Sequence, residues 1–197
     1  MLHVLRHGRT EANKSGLLLG RADPDLDDTG RQQAAAAAAA LPVGTRVISS
    51  PLARTRQTAS FLDPDHEVDD RLLELDYGEF DLAPVASIPP ETWAQWRSDP
   101  EFAPPGGESL RALHARVGEL LGELAESLAD SAATDVVLVT HVSPIKAALG
   151  WALGTDTGVM WRSFVDQASI TRIGVSDRGP SLRVFNDTAH LRDLDVT

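Results

Sequence analysis

Two histidines stand where a short apolar run stops. His7 follows Leu2-His3-Val4-Leu5-Arg6, and His141 follows Val136-Val137-Leu138-Val139-Thr140. A further apolar stretch, Arg46-Val47-Ile48, ends just before Ser49-Ser50-Pro51-Leu52-Ala53-Arg54-Thr55-Arg56. Short apolar runs closed by polar or Gly/Pro turns are strand signals. In open α/β sheets, ligands bind beyond the carboxyl ends of the strands. With these three strands as neighbours, His7, His141, Arg6 and Arg54 converge on one cavity. Arginine forks match phosphate oxygens bidentately. The chemistry that most needs such a cationic hollow is phosphoryl transfer, whose main demand is charge neutralisation and positioning.

The elements that must position these residues are legible in outline. Leu2 to Leu5, Arg46 to Ser50 and Asp135 to Thr140 read as buried strands, with His66 to Arg71 as a further one. Helical character begins near Thr10. A longer helix runs from Asp28-Thr29-Gly30 through the alanine run Ala34 to Ala40, with Asp28 or Thr29 as N-cap, and Pro42 and Gly44 end it. Pro51 sits at the start of a helix reaching about Leu62. The longest helix covers about Glu108 to Asp130, where Leu110, Leu113, Val117, Leu120, Leu121, Leu124 and Leu128 fall at helical spacing. Pro144 opens another helix to about Leu153. Ser169 to Val175 and Leu182 to Asn186 flank the turn Asp177-Arg178-Gly179-Pro180 as a hairpin.

Strands alternating with helices predict a three-layer α/β/α sandwich, its sheet mostly parallel with one antiparallel edge strand. Residues 1–197 read as a single domain with a short inserted excursion at about 79–107. That excursion is rich in proline and holds Trp93 and Trp96 on a short helix, Glu91 to Ser98, that must cover something.

Composition removes several classes of function. The chain has 197 residues, 42% hydrophobic and 24% charged, which suits a globular domain. A formal net charge of −11 disfavours nucleic acid and anionic membranes as partners. No run approaches the roughly 18 apolar residues of a membrane span, and Met1 to Arg6 is too soon charged for a signal peptide. The expected compartment is cytoplasmic. Cysteine is absent, which excludes disulfides and thiolate chemistry. There is no Walker loop, no G-x-G-x-x-G and no nucleophile elbow. Of the 18 basic residues only Lys14 and Lys146 are lysines, so an arginine by itself carries little information.

Five blocks, in order, resemble the histidine phosphatase superfamily in its phosphoglycerate mutase-like branch. They are Leu5-Arg6-His7-Gly8-Arg9-Thr10 with Asn13; Gly20-Arg21-Ala22-Asp23-Pro24 with Thr29-Gly30-Arg31; Ser49-Ser50-Pro51-Leu52-Ala53-Arg54-Thr55-Arg56-Gln57-Thr58-Ala59; Leu73-Glu74-Leu75-Asp76-Tyr77-Gly78; and Thr140-His141. The resemblance implies a phosphatase acting on small phosphorylated metabolites, with His7 as nucleophile and a phosphohistidine intermediate. Arg6, Arg54, His141 and Asn13 would hold the phosphoryl oxygens, with Gly20, Arg21 and Val142 at the substrate. Glu74 would give a proton to the leaving alkoxide and take one from water. No metal and no cofactor are implied, since arginine and histidine supply the positive charge. Two positions depart from the family pattern: Val142 stands where a glycine is usual, and Glu79-Phe80-Asp81-Leu82 replaces an acidic residue followed by glycine.

Rival readings stand beside these. Asp76, Glu79 and Asp81 lie close enough in sequence to compete with Glu74 as proton donor. Arg9, Arg21 and Arg56 read equally as solvated surface charges. His3, His66, His114 and His190 have no metal-ligand spacing and read as structural or surface residues. Trp93 and Trp96 either line a substrate mouth or pack the excursion. A phosphoglycerate mutase is the alternative enzyme, although its insert is generally longer. A phospho-ligand-binding protein without turnover is the alternative of another class. The alanine-rich helix and the excursion are the candidate surfaces for a homodimer.

Overall fold

Val136–Thr140 (β4) is buried at every residue, as a run apolar on both faces must be, and it lies in the interior of the sheet. The computed structural model describes residues 1–128 and 135–194. Parallel to β4 on either side run Leu2–Arg6 (β1) and Arg46–Ser49 (β2). Glu67–Val68 (β3) extends the sheet beyond β2, and Ile170–Ser176 (β5) with Gly179–Asp187 (β6) extends it beyond β1. The strand order is β3-β2-β4-β1-β5-β6. The sheet is therefore mostly parallel, and the β5–β6 hairpin makes the antiparallel edge.

Period-two alternation sends each strand's side chains into two separate cores. On one face Leu2, Val4, Val136 and Leu138 pack against Leu110–Leu128 (α5) and Val142–Leu153 (α6). On the other, Leu5, Val137 and Val139 meet Ala37 and Leu41 of Asp28–Ala39 (α2) and its exit, and Ala59 of Ala53–Ala59 (α3). The alanine run thus packs rather than dangles, and its small side chains let α2 lie close to the sheet.

Several boundaries differ from the sequence expectation, each for a local reason. Asp27, not Asp28 or Thr29, caps α2, its side chain accepting from the Gly30 N–H at 2.7 Å. Pro51 precedes α3 by two residues, with Leu52 as N-cap. The strand expected over His66 to Arg71 shrinks to β3, because Asp69 caps a 3-10 turn over Asp70–Leu72. Helix α5 begins at Leu110 rather than Glu108, whose carboxylate is engaged by Arg116. Its expected end near Asp130 lies outside the described residues. Helix α6 begins at Val142, two residues before Pro144.

Parallel pairing places Arg6 level with Thr140, and Ser49 level with Val139. The residues that follow, His7, His141 and Ser50, therefore leave the sheet at one edge. The peptide after His7 is pressed onto the first turn of α2, where a Cβ on Gly8 would overlap the Gly30 carbonyl and a Cβ on Gly30 would overlap the Arg9 carbonyl. This close approach locks the His7 turn against a helix. Gly30→Ala is expected to cost about 1–3 kcal/mol, the usual range for overpacking, measured by urea denaturation. A loss below a few tenths of that range would mean the contact is soft.

Candidate active site

Arg6, at the end of β1, is buried and gives Nη1–H to the Val165 carbonyl at 2.6 Å, while its buried Nε–H has no acceptor among the described residues. His7 is buried as well. Its Nδ1 lies 2.7 Å from the Gly8 carbonyl and so carries the proton. Nε2 is left as the basic nitrogen, with no hydrogen-bond partner among the described residues. Thr58 Oγ1 accepts from the Gly8 N–H at 3.1 Å and fixes this turn from α3.

Arg54 and His141 stand behind His7. Arg54, completely buried on α3, donates Nη1–H to the Ala22 carbonyl, Nη2–H to the Gly20 carbonyl and Nε–H to His141 Nδ1, at 2.7, 2.8 and 3.2 Å. With Nδ1 accepting, His141 carries its proton on Nε2 and donates to Ser50 Oγ at 2.8 Å. The His7 and His141 rings meet edge-on at a centroid distance of 5.1 Å.

Glu74 follows the Asp70–Leu72 turn and is buried between Leu72 and Leu75. Its Oε1 accepts from the Leu75 and Ser143 N–H groups at 2.7 and 3.1 Å, and its Oε2 accepts from the Val142 N–H at 3.1 Å. Glu74 thereby occupies the amino end of α6, where unpaired N–H groups favour an acidic side chain. From α5, Arg116 binds the Arg71 and Glu74 carbonyls and the Glu108 carboxylate, holding this segment in place.

Among the residues named from sequence, Arg6, His7, Asn13, Glu74 and Val142 line one cleft of about 180 Å³. Asn13 Oδ1 accepts from the Thr10 N–H and hydroxyl in a capping box on Glu11–Lys14 (α1), which leaves its Nδ2 donors free. The remaining residues take other positions. Gly20 shapes the site through its carbonyl on Arg54, and its N–H is held by Asp81 at 2.7 Å. Arg21 is outside the cleft lining, paired with Glu108 at 3.5 Å and Asp76 at 3.9 Å. The Val142 N–H, expected at the substrate, is taken by Glu74.

The rival acids separate cleanly. Asp76 faces Arg21 and the Gly78 N–H, Glu79 is exposed, and Asp81 clasps the Gly20 and Ala22 N–H groups. Only Glu74 of the four shares the cleft with His7. Sequence reasoning assigned no role to Ser50, Thr58, Tyr77 or Arg116. The first two lie inside the third motif block and Tyr77 inside the fourth, which was a usable signal; Arg116, on a regular amphipathic helix, gave none.

The family model for the histidine phosphatase superfamily (branch 1) matches residues 2–188. The chain belongs to this superfamily. Bifunctional protein Rv2228c of Mycobacterium tuberculosis is 36% identical over 201 residues, covering 96% of this chain and 54% of that protein. The chain thus spans about half the length of this relative. Phosphoserine phosphatase 1 of Hydrogenobacter thermophilus is 31% identical over 207 residues, covering 99% of this chain and 96% of that one. The solved structure of mycobacterial glucosyl-3-phosphoglycerate phosphatase Rv2419c superposes with a TM-score of 0.81 at 31% identity, covering 95% and 98% of the two chains. In this chain the first-block histidine, Arg6 and Glu74 line one cleft, and Arg54 and His141 are buried behind them.

The electrostatics of that wall are unbalanced toward positive charge. Burial pushes Arg6 and Arg54 down to about 10, opposed in each by Glu74, so both remain charged at neutral pH. Burial, then the neighbouring arginines, hold His7 and His141 well below the ordinary histidine value of 6.5. In the unfolded chain both imidazoles take up protons as pH falls through 6.5, whereas in the folded chain they do not until far lower. Their contribution is therefore flat above 6.5 and destabilising below it. Between about pH 7.5 and about pH 5, above the main carboxylate range, the melting temperature should fall. His7→Gln/His141→Gln should have a shallower slope; an equal slope would show that these rings titrate freely.

Proposed function

We propose that this chain hydrolyses small phosphomonoesters through a phosphohistidine formed on His7. The observation that carries the reading is the pinned His7 ring: Nδ1 held by the Gly8 carbonyl, Nε2 unpartnered, on a wall shared with Arg6 and Glu74. The relatives named as phosphoserine and glucosyl-3-phosphoglycerate phosphatases support a phosphomonoester hydrolase.

In this mechanism Nε2 attacks phosphorus as the P–O ester bond breaks. Glu74 delivers a proton to the departing alkoxide oxygen, because expelling a bare alkoxide at neutral pH is unfavourable. The same carboxylate then removes a proton from water, whose oxygen attacks the phosphohistidine and releases phosphate. Arg6, with its unpaired Nε–H, and the Asn13 amide bind the phosphoryl oxygens. Arg54 has three donors committed to the protein. It acts chiefly as fixed positive charge and as the support for His141. The charge that Mg²⁺ neutralises in other phosphoryl transfers is met here by guanidinium groups, so activity should be insensitive to EDTA.

His7→Ala should lower turnover of p-nitrophenyl phosphate by about a thousandfold or more, and wild-type protein quenched in turnover should carry phosphate on His7 by mass spectrometry. Equal rates in the two proteins would remove His7 as the nucleophile, and no turnover in either would favour a ligand-binding protein. Glu74→Gln should slow alkyl phosphates about a hundredfold and p-nitrophenyl phosphate much less, because nitrophenolate leaves without help. An equal loss on both would remove Glu74 as the acid. With 3-phosphoglycerate, phosphate release should outrun isomerisation; the reverse would make the protein a mutase.

A further inference from the structure

Beside the catalytic cleft lies a second cavity of about 170 Å³, and Tyr77 and Val142 line both. Its walls are largely apolar, from Trp93, Trp161, Met160, Leu75 and Leu110, interrupted by the paired hydroxyls of Tyr77 and Ser143 and by two further polar side chains. Trp96, only 2% exposed, lines the cavity and has its indole N–H buried without an acceptor. Lys146 lies one helical turn beyond Val142 on α6, partly buried. It forms no ion pair among the described residues. Burial depresses its ammonium from the usual value, with Glu74 opposing.

A cavity of roughly 150 Å³ accommodates a benzene ring, so the space here suits one six-membered ring. Aromatic walls favour a flat apolar body. A half-buried cation that lines the cavity and has no ion pair among the described residues favours an anionic group on that body. Because the cavity adjoins the cleft on the Glu74 side, where the alkoxide departs, its occupant is the leaving group rather than the phosphate.

Resting on the phosphatase reading above, we propose that the preferred substrate is a phosphomonoester whose alcohol carries a ring-sized apolar group and a carboxylate, the ring seated between Trp93, Trp161 and Met160 and the carboxylate held by Lys146. This places specificity in a ring-and-acid pocket that small substrates such as short-chain phosphates leave unfilled.

Ethyl, benzyl and carboxybenzyl phosphates (the 3- and 4-isomers) share a primary-alcohol leaving group and differ only in what reaches the cavity. Wild-type kcat/KM should rise about tenfold or more from ethyl to benzyl, and about tenfold again for one carboxybenzyl isomer. Lys146→Met should collapse the carboxybenzyl-to-benzyl ratio toward one, and Trp161→Ala should lower the benzyl-to-ethyl ratio. All four esters hydrolysed at one rate by wild-type protein would overturn the pocket assignment while leaving the phosphatase intact. A carboxyl preference that survives Lys146→Met would remove Lys146 from it. If no ester is turned over in a His7-dependent way, both readings fall together; the wild-type series decides even where a variant does not fold.

Discussion

Two guanidinium groups and two imidazoles are withdrawn from water into one hollow, and much of the surrounding structure exists to make that tolerable. A buried cation needs hydrogen-bond acceptors or an opposite charge. Arg54 obtains two carbonyls and an imidazole nitrogen, and Arg6 obtains one carbonyl and the nearby Glu74. The Gly20–Ala22 loop can present its carbonyls to Arg54 only because Asp81 grips its N–H groups from the other side. The residue at position 20 must be glycine for the same reason, since a Cβ there would meet Tyr77 and the Leu75 carbonyl within 3 Å.

Burial, then the neighbouring arginines, favour the neutral form of both imidazoles, the state that the proposed nucleophile requires. Each ring's tautomer is then set by what lies on its inner side: the Gly8 carbonyl for His7, the Arg54 Nε–H for His141. The two histidines thus differ in kind although their strand positions are equivalent. His7 presents an unpaired nitrogen, and His141 has both nitrogens engaged by Arg54 and Ser50.

Much of this was legible in the sequence, because it depends on strand ends. Apolar runs stopping at Arg6-His7 and at Thr140-His141 imply a shared sheet edge once the strands are parallel neighbours, and the layers follow from strands alternating with helices and from a Val136–Thr140 run apolar on both faces. The hidden parts depend on side-chain partners distant in sequence. Nothing local to Asp81 says that it will bind the backbone 60 residues earlier rather than act as an acid, and nothing on α5 marks Arg116 as the anchor of the Glu74 segment. The partners of Arg21 were hidden for a related reason: Asp76 and Glu108 arrive from separate loops. The start of α2 shifted because Asp27 captured the Gly30 N–H, one residue before the capping residues that propensity suggested.

The departure at Val142 acquires a physical meaning once the two cavities are seen together. The family's usual glycine would leave the N–H of that position unchanged, and here that N–H is bound to Glu74. What valine adds is therefore side-chain bulk alone, and the residue borders both the phosphate cleft and the aromatic cavity. A branched side chain at that border is stiff about its first torsion. Under the substrate proposal, that side chain selects which alcohols extend from the cleft toward Lys146, while the backbone N–H of the same residue holds the Glu74 carboxylate.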